Sequence, residues 1–271
     1  MKILIFGIGG VGGYFGGKLA QTGSNVTMIA RGKHLEAINK NGLEVESING
    51  NFKVKPNLVT DELAEVPTPD LVILGVKSWQ IQEVANKLKP IISTETMVLP
   101  LQNGANNVEK LLEILPKQNV LAGLCHIVSF LEKLGKIKHV SFEPRITFGE
   151  IDNSTSERIQ SLKTVFEKAG ITNFNPENIQ LEIWKKFLFI TTVSGLGGLT
   201  RVSIDKIRES EYLYDLLLKT AQEIKLAGRP SELENFNGFI VKEAEKLGIA
   251  TPVNKMIYEC LLPMEKKARN S

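Results

Sequence analysis

The chain has 271 residues, of which 42% are hydrophobic and 23% charged, a composition typical of a globular protein with one large or two ordinary domains. Its net charge is only +3 and its basic residues are spread along the chain, which argues against a nucleic-acid-binding surface. The apolar runs are too short to span a membrane, and the two cysteines and three histidines lack disulfide-framework or metal-site spacing. We therefore expect a cytoplasmic, metal-free protein, without a signal peptide because the first predicted strand begins at Lys2.

The first 30 residues predict a strand–helix–strand unit built around a glycine-rich turn. Residues 2–6 form an apolar run typical of a buried strand, a helix is predicted to about Gln21, and residues 26–30 predict a second buried strand. The turn between the first strand and the helix reads Gly7, Ile8, Gly9, Gly10, Val11 and Gly12. In this context the GxGxxG pattern indicates a dinucleotide-binding Rossmann unit, in which pyrophosphate approaches the backbone at a helix N-terminus.

The residues after the second strand favour NADPH over NADH as the cofactor. An NAD site usually carries an acidic residue about 20 residues after the glycine motif. Here that place holds Arg31, with Lys33 close behind. A planar guanidinium binds the 2′-phosphate of NADPH, which a carboxylate would repel. The alternative is that Arg31 is only a solvated loop cation.

Further along, strands and helices alternate in the pattern of a doubly wound parallel sheet. A solvent-facing hairpin is predicted over residues 43–55, and buried strands over 70–76 and 97–101, each of the two followed by a helix. Lys77 and Asn103 come at or just after the carboxyl ends of these two strands. Ligands bind at that edge of such sheets, so we expect both residues beside the glycine turn.

From residue 119 the pattern changes. Shorter strands are predicted over 119–124, 136–142 and 145–149, and we expect them to close the sheet with antiparallel edges. After Pro176 only helices are predicted. The fold class is therefore α/β, with an N-terminal Rossmann-type doubly wound domain over residues 1–175 and an all-helical C-terminal domain over residues 176–271.

The first helix of the second half, predicted over residues 178–193, carries a lysine within an apolar stripe. The helix is apolar nearly all round, so we expect it to be buried. Ile179, Ile183, Lys186 and Ile190 follow one another at spacings of four, three and four. Burial would lower the pKa of the Lys186 ammonium and suit it to proton transfer near neutral pH. The alternative is an ordinary ion pair with Glu182, four residues earlier.

Seven short motifs, taken in order, resemble the ketopantoate reductase (2-dehydropantoate 2-reductase) family, and the resemblance covers essentially the whole chain. They are GIGGVG, ARG with Arg31, GVKS with Lys77, LQNG with Asn103, WKKF with Lys186, GRPSELENFNG with Glu232, and GIATPVN. The resemblance implies a Rossmann domain followed by a helical domain, with the site in the cleft between them. It also implies that NADPH delivers hydride to a 2-oxo acid, most readily ketopantoate, giving pantoate for pantothenate (coenzyme A) biosynthesis.

The same resemblance implies roles for individual residues. Lys186 matches the family's catalytic lysine, which protonates the forming alkoxide and stabilises its charge. Glu232 matches a glutamate that contacts the cofactor and helps to set up the site. Lys77 and Asn103 match positions that line the cofactor and substrate cleft.

The departures from the family pattern all concern the substrate. Two asparagines that grip ketopantoate, four and eight residues after the lysine, are here Ile190 and Ser194, of which Ser194 is a shorter donor. A third substrate-facing asparagine is Ile204, and the helical domain is shortened ahead of the RPSE motif. Three hypotheses follow: ketopantoate reduction, reduction of a different and more apolar 2-oxo acid, or NADPH binding without turnover. The apolar helical domain is also expected to support a homodimer.

Overall fold

The structure is a computed structural model, which describes residues 1–227 and 237–269. The chain divides into two compact units. The α/β unit comprises Met1–Gln102 and Asn107–Gln180, and the helical unit comprises Asn103–Asn106 and Leu181–Ser271. Within the described ranges, none of the helices combines the length and the apolar character needed to cross a membrane.

The strands are short except for one long hairpin. They are β1 (Lys2–Phe6), β2 (Asn25–Ile29), β3 (Leu43–Ser47), β4 (Phe52–Val54), β5 (Leu58–Thr60), β6 (Leu71–Leu74), β7 (Met97–Pro100), β8 (Ala122–Lys133), β9 (Lys136–Gly149) and β10 (Thr172–Phe174). The helices are α1 (Gly10–Gln21), α2 (Gly32–Asn41), α3 (Ile81–Leu88), α4 (Asn107–Leu112), α5 (Glu157–Lys168), α6 (Ile179–Thr200), α7 (Ile204–Glu209), α8 (Glu211–Ala227), α9 (Asn237–Lys246) and α10 (Pro252–Arg269).

The first sheet is the predicted parallel one, with strand order β5-β2-β1-β6-β7. Its central strands are buried on both faces. Ile3 and Ile5 of β1 belong to one apolar cluster and Leu4 to another, so helices and strands cover the sheet on both sides. The chain leaves β1 for β2 on one side and later returns to β6 on the other. This reversal leaves a crevice at the carboxyl ends of β1 and β6, where the glycine turn lies.

The later strands form a second sheet, so the prediction that they close the first sheet is wrong. The order is β10-β9-β3-β4, with β8 antiparallel to β9 on its other side. The hairpin predicted over residues 43–55 is present, since β3 pairs with β4 in antiparallel register, but one of its faces is covered rather than open to solvent. Leu43 and Val45 of β3 are fully buried, because helix α1 covers that face of the second sheet.

Helix α1 packs closely against both sheets because glycines occupy four of its buried positions. A Cβ on Gly12 would lie 2.1 Å from the Gly7 carbonyl oxygen, on the side of the first sheet. A Cβ on Gly13 would lie 2.6 Å from the Ile137 side chain of β9, on the other side. Both distances are below any real Cβ contact, so glycine sets how closely the layers approach.

Strand β9 changes its neighbour partway along. Its first residues pair with β3 and its last with β10, and between them Phe142 has a φ of +62°. Buried His139 holds this bend. Its Nε2 donates to the Phe142 carbonyl at 2.8 Å, which leaves Nδ1 to accept from the Ser47 hydroxyl at 2.8 Å.

The helical unit is built around α6, which runs to Thr200 and is longer than predicted. One cluster joins Phe187 of α6 to Ile224 and Ile240, and a second joins α6 to α7 and α10. The expectation that α6 is buried holds for one side only, since Ile183 and Phe187 are buried whereas the Phe189 side chain is 58% exposed. Helices α7 and α8 follow α6 and are separated from each other at Ser210.

A buried carboxylate ties the end of β9 to helix α5. Glu150 accepts from Arg158 Nε at 2.7 Å and from the Ser156 hydroxyl at 2.6 Å, and Arg158 also donates to the Gln118 carbonyl. Burial by itself would raise the pKa of Glu150, but the hydrogen bonds from Arg158 and Ser156 outweigh it, so the pKa is lowered.

We expect Glu150→Gln to destabilise the α/β unit by about 1–3 kcal/mol at neutral pH, because a charged hydrogen-bond acceptor is lost. A carboxyl whose pKa is lowered by folding stabilises the fold above its ordinary pKa of about 4.3 and loses this effect as the pH falls. Urea unfolding at several pH values should therefore show the variant converging on the parent below about pH 4. Glu209→Gln, which breaks an exposed pair with Lys206, is the control and should cost less than about 1 kcal/mol.

Candidate functional site

A cavity of about 310 Å³ opens in the α/β unit at the carboxyl ends of β1, β2 and β6. It brings together three of the predicted site elements: the glycine turn through Gly7, Ile8 and Gly9, the segment after β2 through Arg31, and the segment after β6 through Lys77. Gly10, Val11 and Gly12 of the motif form the first turn of helix α1. The other lining residues are Phe6, Ile29, Ala30, His34, Gly75, Val76, Gln80, Glu83 and Val84.

The glycine turn has the geometry that a bound phosphate group requires. Gly7 has a φ of +97°, and a Cβ on it would lie 2.7 Å from Val76, so only glycine fits there. A Cβ on Gly9 would meet none of the described atoms within 4 Å, so the turn is open to a ligand at that residue. Gly9 is also the N-cap of α1, whose first amide groups favour negative charge.

A second close approach was missed by the sequence analysis. A Cβ on Gly75, which follows β6, would lie 2.6 Å from the Gly7 carbonyl and 2.9 Å from Gly12 Cα. Gly75 therefore lets the end of β6 meet the glycine turn. The only sequence signal was a glycine directly after a predicted strand.

The charges around the cavity suit an anion. Arg31 and Lys77 are both exposed at its edge. Glu83 is the one carboxylate among the lining residues, and it forms an ion pair with Lys87. The hydrogen bond from Lys87 to the Glu83 carboxylate holds the pKa of Glu83 below its ordinary value. Two cations therefore face the cavity with a single anion that is already compensated. Lys33 is not among the lining residues.

His34 is the other lining residue that sequence reasoning did not single out. Its Nε2 donates to the carbonyl of Ile8 in the glycine turn at 2.8 Å. Its Nδ1 accepts from the Gly135 amide in the β8–β9 turn at 3.0 Å. A carbonyl only accepts and an amide only donates, so the neutral Nε2–H tautomer satisfies both. His34 thus joins the glycine turn to the second sheet, a tertiary contact that sequence spacing does not reveal.

The predicted substrate residues lie in the helical unit. Lys186 and Ile190 of α6 are partly buried, and Ser194 is exposed. Glu182 forms an ion pair with the neighbouring Lys185 at 2.7 Å. Glu232 lies outside the described residues.

Asn103 belongs to the helical unit by its contacts, although it follows β7 of the first sheet in sequence. Nearby Ala105 packs against the apolar cluster that contains Phe187, the residue after Lys186. The loop that carries Asn103 is thus anchored to the cluster that also holds α6.

Comparison with known proteins gives a consistent result. The family model "Ketopantoate reductase PanE/ApbA" matches residues 3–153, and its C-terminal counterpart matches residues 225–265. An uncharacterized oxidoreductase of Bacillus subtilis, YkpB, is 30% identical, with 95% of this chain and 97% of that protein covered. That alignment runs over 296 residues, more than the 271 of this chain, so YkpB has residues without a counterpart here.

Solved structures share the fold over nearly the whole chain. The 2-dehydropantoate 2-reductase of Porphyromonas gingivalis W83 is 30% identical, with a TM-score of 0.88 and coverage of 97% of this chain and 99% of that one. A D-mandelate dehydrogenase, solved with NADH and anilino(oxo)acetate, has a TM-score of 0.89 at 21% identity and 98% and 99% coverage.

We expect His34→Phe, which keeps an aromatic ring but removes both hydrogen bonds, to speed hydrogen exchange at the Gly135 amide about fivefold. The expected size follows from the loss of about 1 kcal/mol of hydrogen bonding. The Gly50 amide, which donates to the Ser47 carbonyl in the β3–β4 hairpin, is the internal control. Its exchange rate should be unchanged. Equal protection of Gly135 in both proteins would contradict the role of His34.

Proposed function

This chain belongs to the ketopantoate reductase family of oxidoreductases, and from that premise we propose that it reduces a 2-oxo acid to a 2-hydroxy acid with NADPH. Ketopantoate, giving pantoate for pantothenate (coenzyme A) synthesis, is the first substrate to test. The observation that carries the proposal is the cavity in which an open glycine turn, Arg31 and Lys77 lie together.

The cavity fits a nicotinamide dinucleotide, which supplies a hydride when it is bound. Its pyrophosphate would lie at the open side of Gly9 and the N-terminus of α1. Arg31 would hold the 2′-phosphate, because its planar guanidinium forms two parallel charged hydrogen bonds. Lys77 and Asn103, which follow the carboxyl ends of neighbouring strands, complete the proposed cofactor contacts.

Lys186 is the proposed proton donor. When the carbonyl carbon of the oxo acid accepts hydride, negative charge develops on its oxygen. The Lys186 ammonium stabilises that charge and transfers a proton from Nζ to the oxygen, which gives the hydroxyl group. Asn103 and Ser194 would hydrogen-bond the substrate, and Glu232 is assigned to the cofactor by family resemblance.

The domain roles and cellular setting belong to the same proposal. Residues 1–175 would bind the cofactor, and residues 176–271, shortened relative to the family, would bind substrate and mediate dimerisation. Cys125 and Cys260 are both free thiols, which supports the reducing environment of the cytoplasm.

There are two alternative hypotheses to ketopantoate reduction. Ile190 and Ile204, in place of hydrogen-bonding asparagines, favour a reductase for a different oxo acid. The shortened helical domain motivates a protein that binds NADPH without turnover. NADPH oxidation with ketopantoate and other oxo acids tests all three, since bound NADPH without oxidation by any acid would refute the reductase.

We expect Arg31→Ala to raise the dissociation constant for NADPH about 10- to 100-fold and to change that for NADH much less, since only NADPH has the 2′-phosphate. Lys33→Ala is the matched control, because Lys33 does not line the cavity, and it should have a smaller effect. Fluorescence titration with both cofactors measures this. Equal weakening of NADPH and NADH in Arg31→Ala would remove the basis for NADPH preference.

We expect Lys186→Ala to lower kcat by about 10²- to 10⁴-fold, the usual contribution of a positioned proton donor, without changing the affinity for NADPH. Lys219→Ala is the control, because Lys219 is an exposed lysine of α8 paired with Asp215. Steady-state NADPH oxidation and equilibrium NADPH binding separate the two effects. An unchanged kcat would show that another group supplies the proton.

A further inference from the structure

Helix α3 places a carboxylate at the edge of the cavity beside the glycine turn. Ile81, Val84 and Leu88 of α3 are buried in the apolar cluster that covers one face of the first sheet, and this packing fixes the helix. Glu83, in the first turn of α3, is left exposed and lines the cavity. A carboxylate repels the phosphate groups of a dinucleotide, so its charge must be compensated if the cofactor is to bind tightly.

Glu83 is held by a residue that lies outside the cavity. The Lys87 ammonium is 2.5 Å from Glu83 Oε1, one helical turn further along α3, and Lys87 is not among the lining residues. A glutamate four residues before a lysine is the favourable order for an ion pair on a helix. The ion pair therefore restricts the directions that the Glu83 carboxylate can take.

Arg31 is the second cation close to Glu83, since both side chains line the same cavity. The hydrogen bond from Lys87 lowers the pKa of Glu83 most, and the charge of Arg31 adds a smaller effect in the same direction. Arg31 itself forms no ion pair with any residue in the part of the chain that the structure describes. Both side chains are long and exposed, so a Glu83 carboxylate released from Lys87 can turn toward the Arg31 guanidinium.

We propose that Lys87 is a positioning residue for cofactor selection: it holds Glu83 away from Arg31 and leaves Arg31 free to bind the 2′-phosphate of NADPH. This inference rests on the role of Arg31 proposed above. Without Lys87, the Glu83 carboxylate and the 2′-phosphate compete for one guanidinium group. NADH has no 2′-phosphate, so its affinity does not depend on that competition. The preference for NADPH is thus set in part by a residue outside the cavity.

The test measures the dissociation constants of NADPH and NADH by fluorescence titration at low ionic strength, where exposed charges are least screened. We expect Lys87→Gln to raise the dissociation constant for NADPH about three- to fivefold, the size expected for an exposed ion pair, and to leave that for NADH unchanged. Lys87→Arg keeps the ion pair and should bind NADPH as the parent does. Lys163→Gln, which breaks an exposed pair with Glu167 in α5, is the matched control and should change neither constant.

Glu83→Gln distinguishes positioning from a direct effect of the lysine charge. In that background the carboxylate that Lys87 holds is absent, so we expect Lys87→Gln to change the NADPH affinity by less than about twofold. An equal effect of Lys87→Gln in both backgrounds would mean that Lys87 acts on the phosphate as a distant cation, and it overturns the proposal. Equal weakening of NADPH and NADH by Lys87→Gln also overturns it.

An NMR titration of the Glu83 carboxyl tests the same competition without any cofactor. In Lys87→Gln the pKa of Glu83 should stay below its ordinary value, because Arg31 takes the place of Lys87, and it should return to that value when Arg31→Ala is added. A return in Lys87→Gln alone overturns the proposal, even where NADPH is the preferred cofactor. Equal binding of NADPH and NADH by the parent refutes the NADPH preference proposed above, and the titration then decides separately whether Lys87 holds Glu83 away from Arg31.

Discussion

The α/β unit depends on how closely helix α1 approaches the sheets on its two sides. Four buried glycines, Gly12, Gly13, Gly16 and Gly17, remove the side chains that would keep the layers apart. Glycine disfavours a helix by about 0.5–1 kcal/mol per residue, so these four cost about 2–4 kcal/mol in helix stability. Burial of Ile5, Ile137 and Phe52 against the helix offsets that cost. The cavity opens at Gly9, the N-cap of this helix, so the packing glycines directly follow the turn that lines the cavity.

Local pattern was enough to predict four strands of the parallel sheet, β1, β2, β6 and β7, but neither its edge strand β5 nor the second sheet. The strands of the first sheet are short apolar runs, each next to a turn or a helix signal, and they pair in the usual order. The second sheet depends on pairing between distant segments, such as Glu44 with Lys136. The alternation in residues 43–55 correctly indicated strands with one covered face. It could not show that the cover is helix α1, in which five of the twelve residues are glycine.

The residues of the candidate site also fall into those that the sequence predicts and those that it does not. Gly7, Arg31 and Lys77 could be predicted because a motif or a strand end fixes their places in the sheet. Gly75 and His34 could not, because one acts through its absent side chain and the other through two tertiary hydrogen bonds.

The position of β9 late in the sequence also determines when the glycine turn can reach its final environment during protein synthesis. Helix α1 is a poor helix former by composition and needs both sheets to persist. One of those sheets is completed by β9, which ends at Gly149, and by β10 after it. More than half of the 271-residue chain must therefore leave the ribosome before the first twenty residues reach their final environment. Until then the nascent chain exposes the apolar surface of an incomplete sheet, and chaperones can bind such a state.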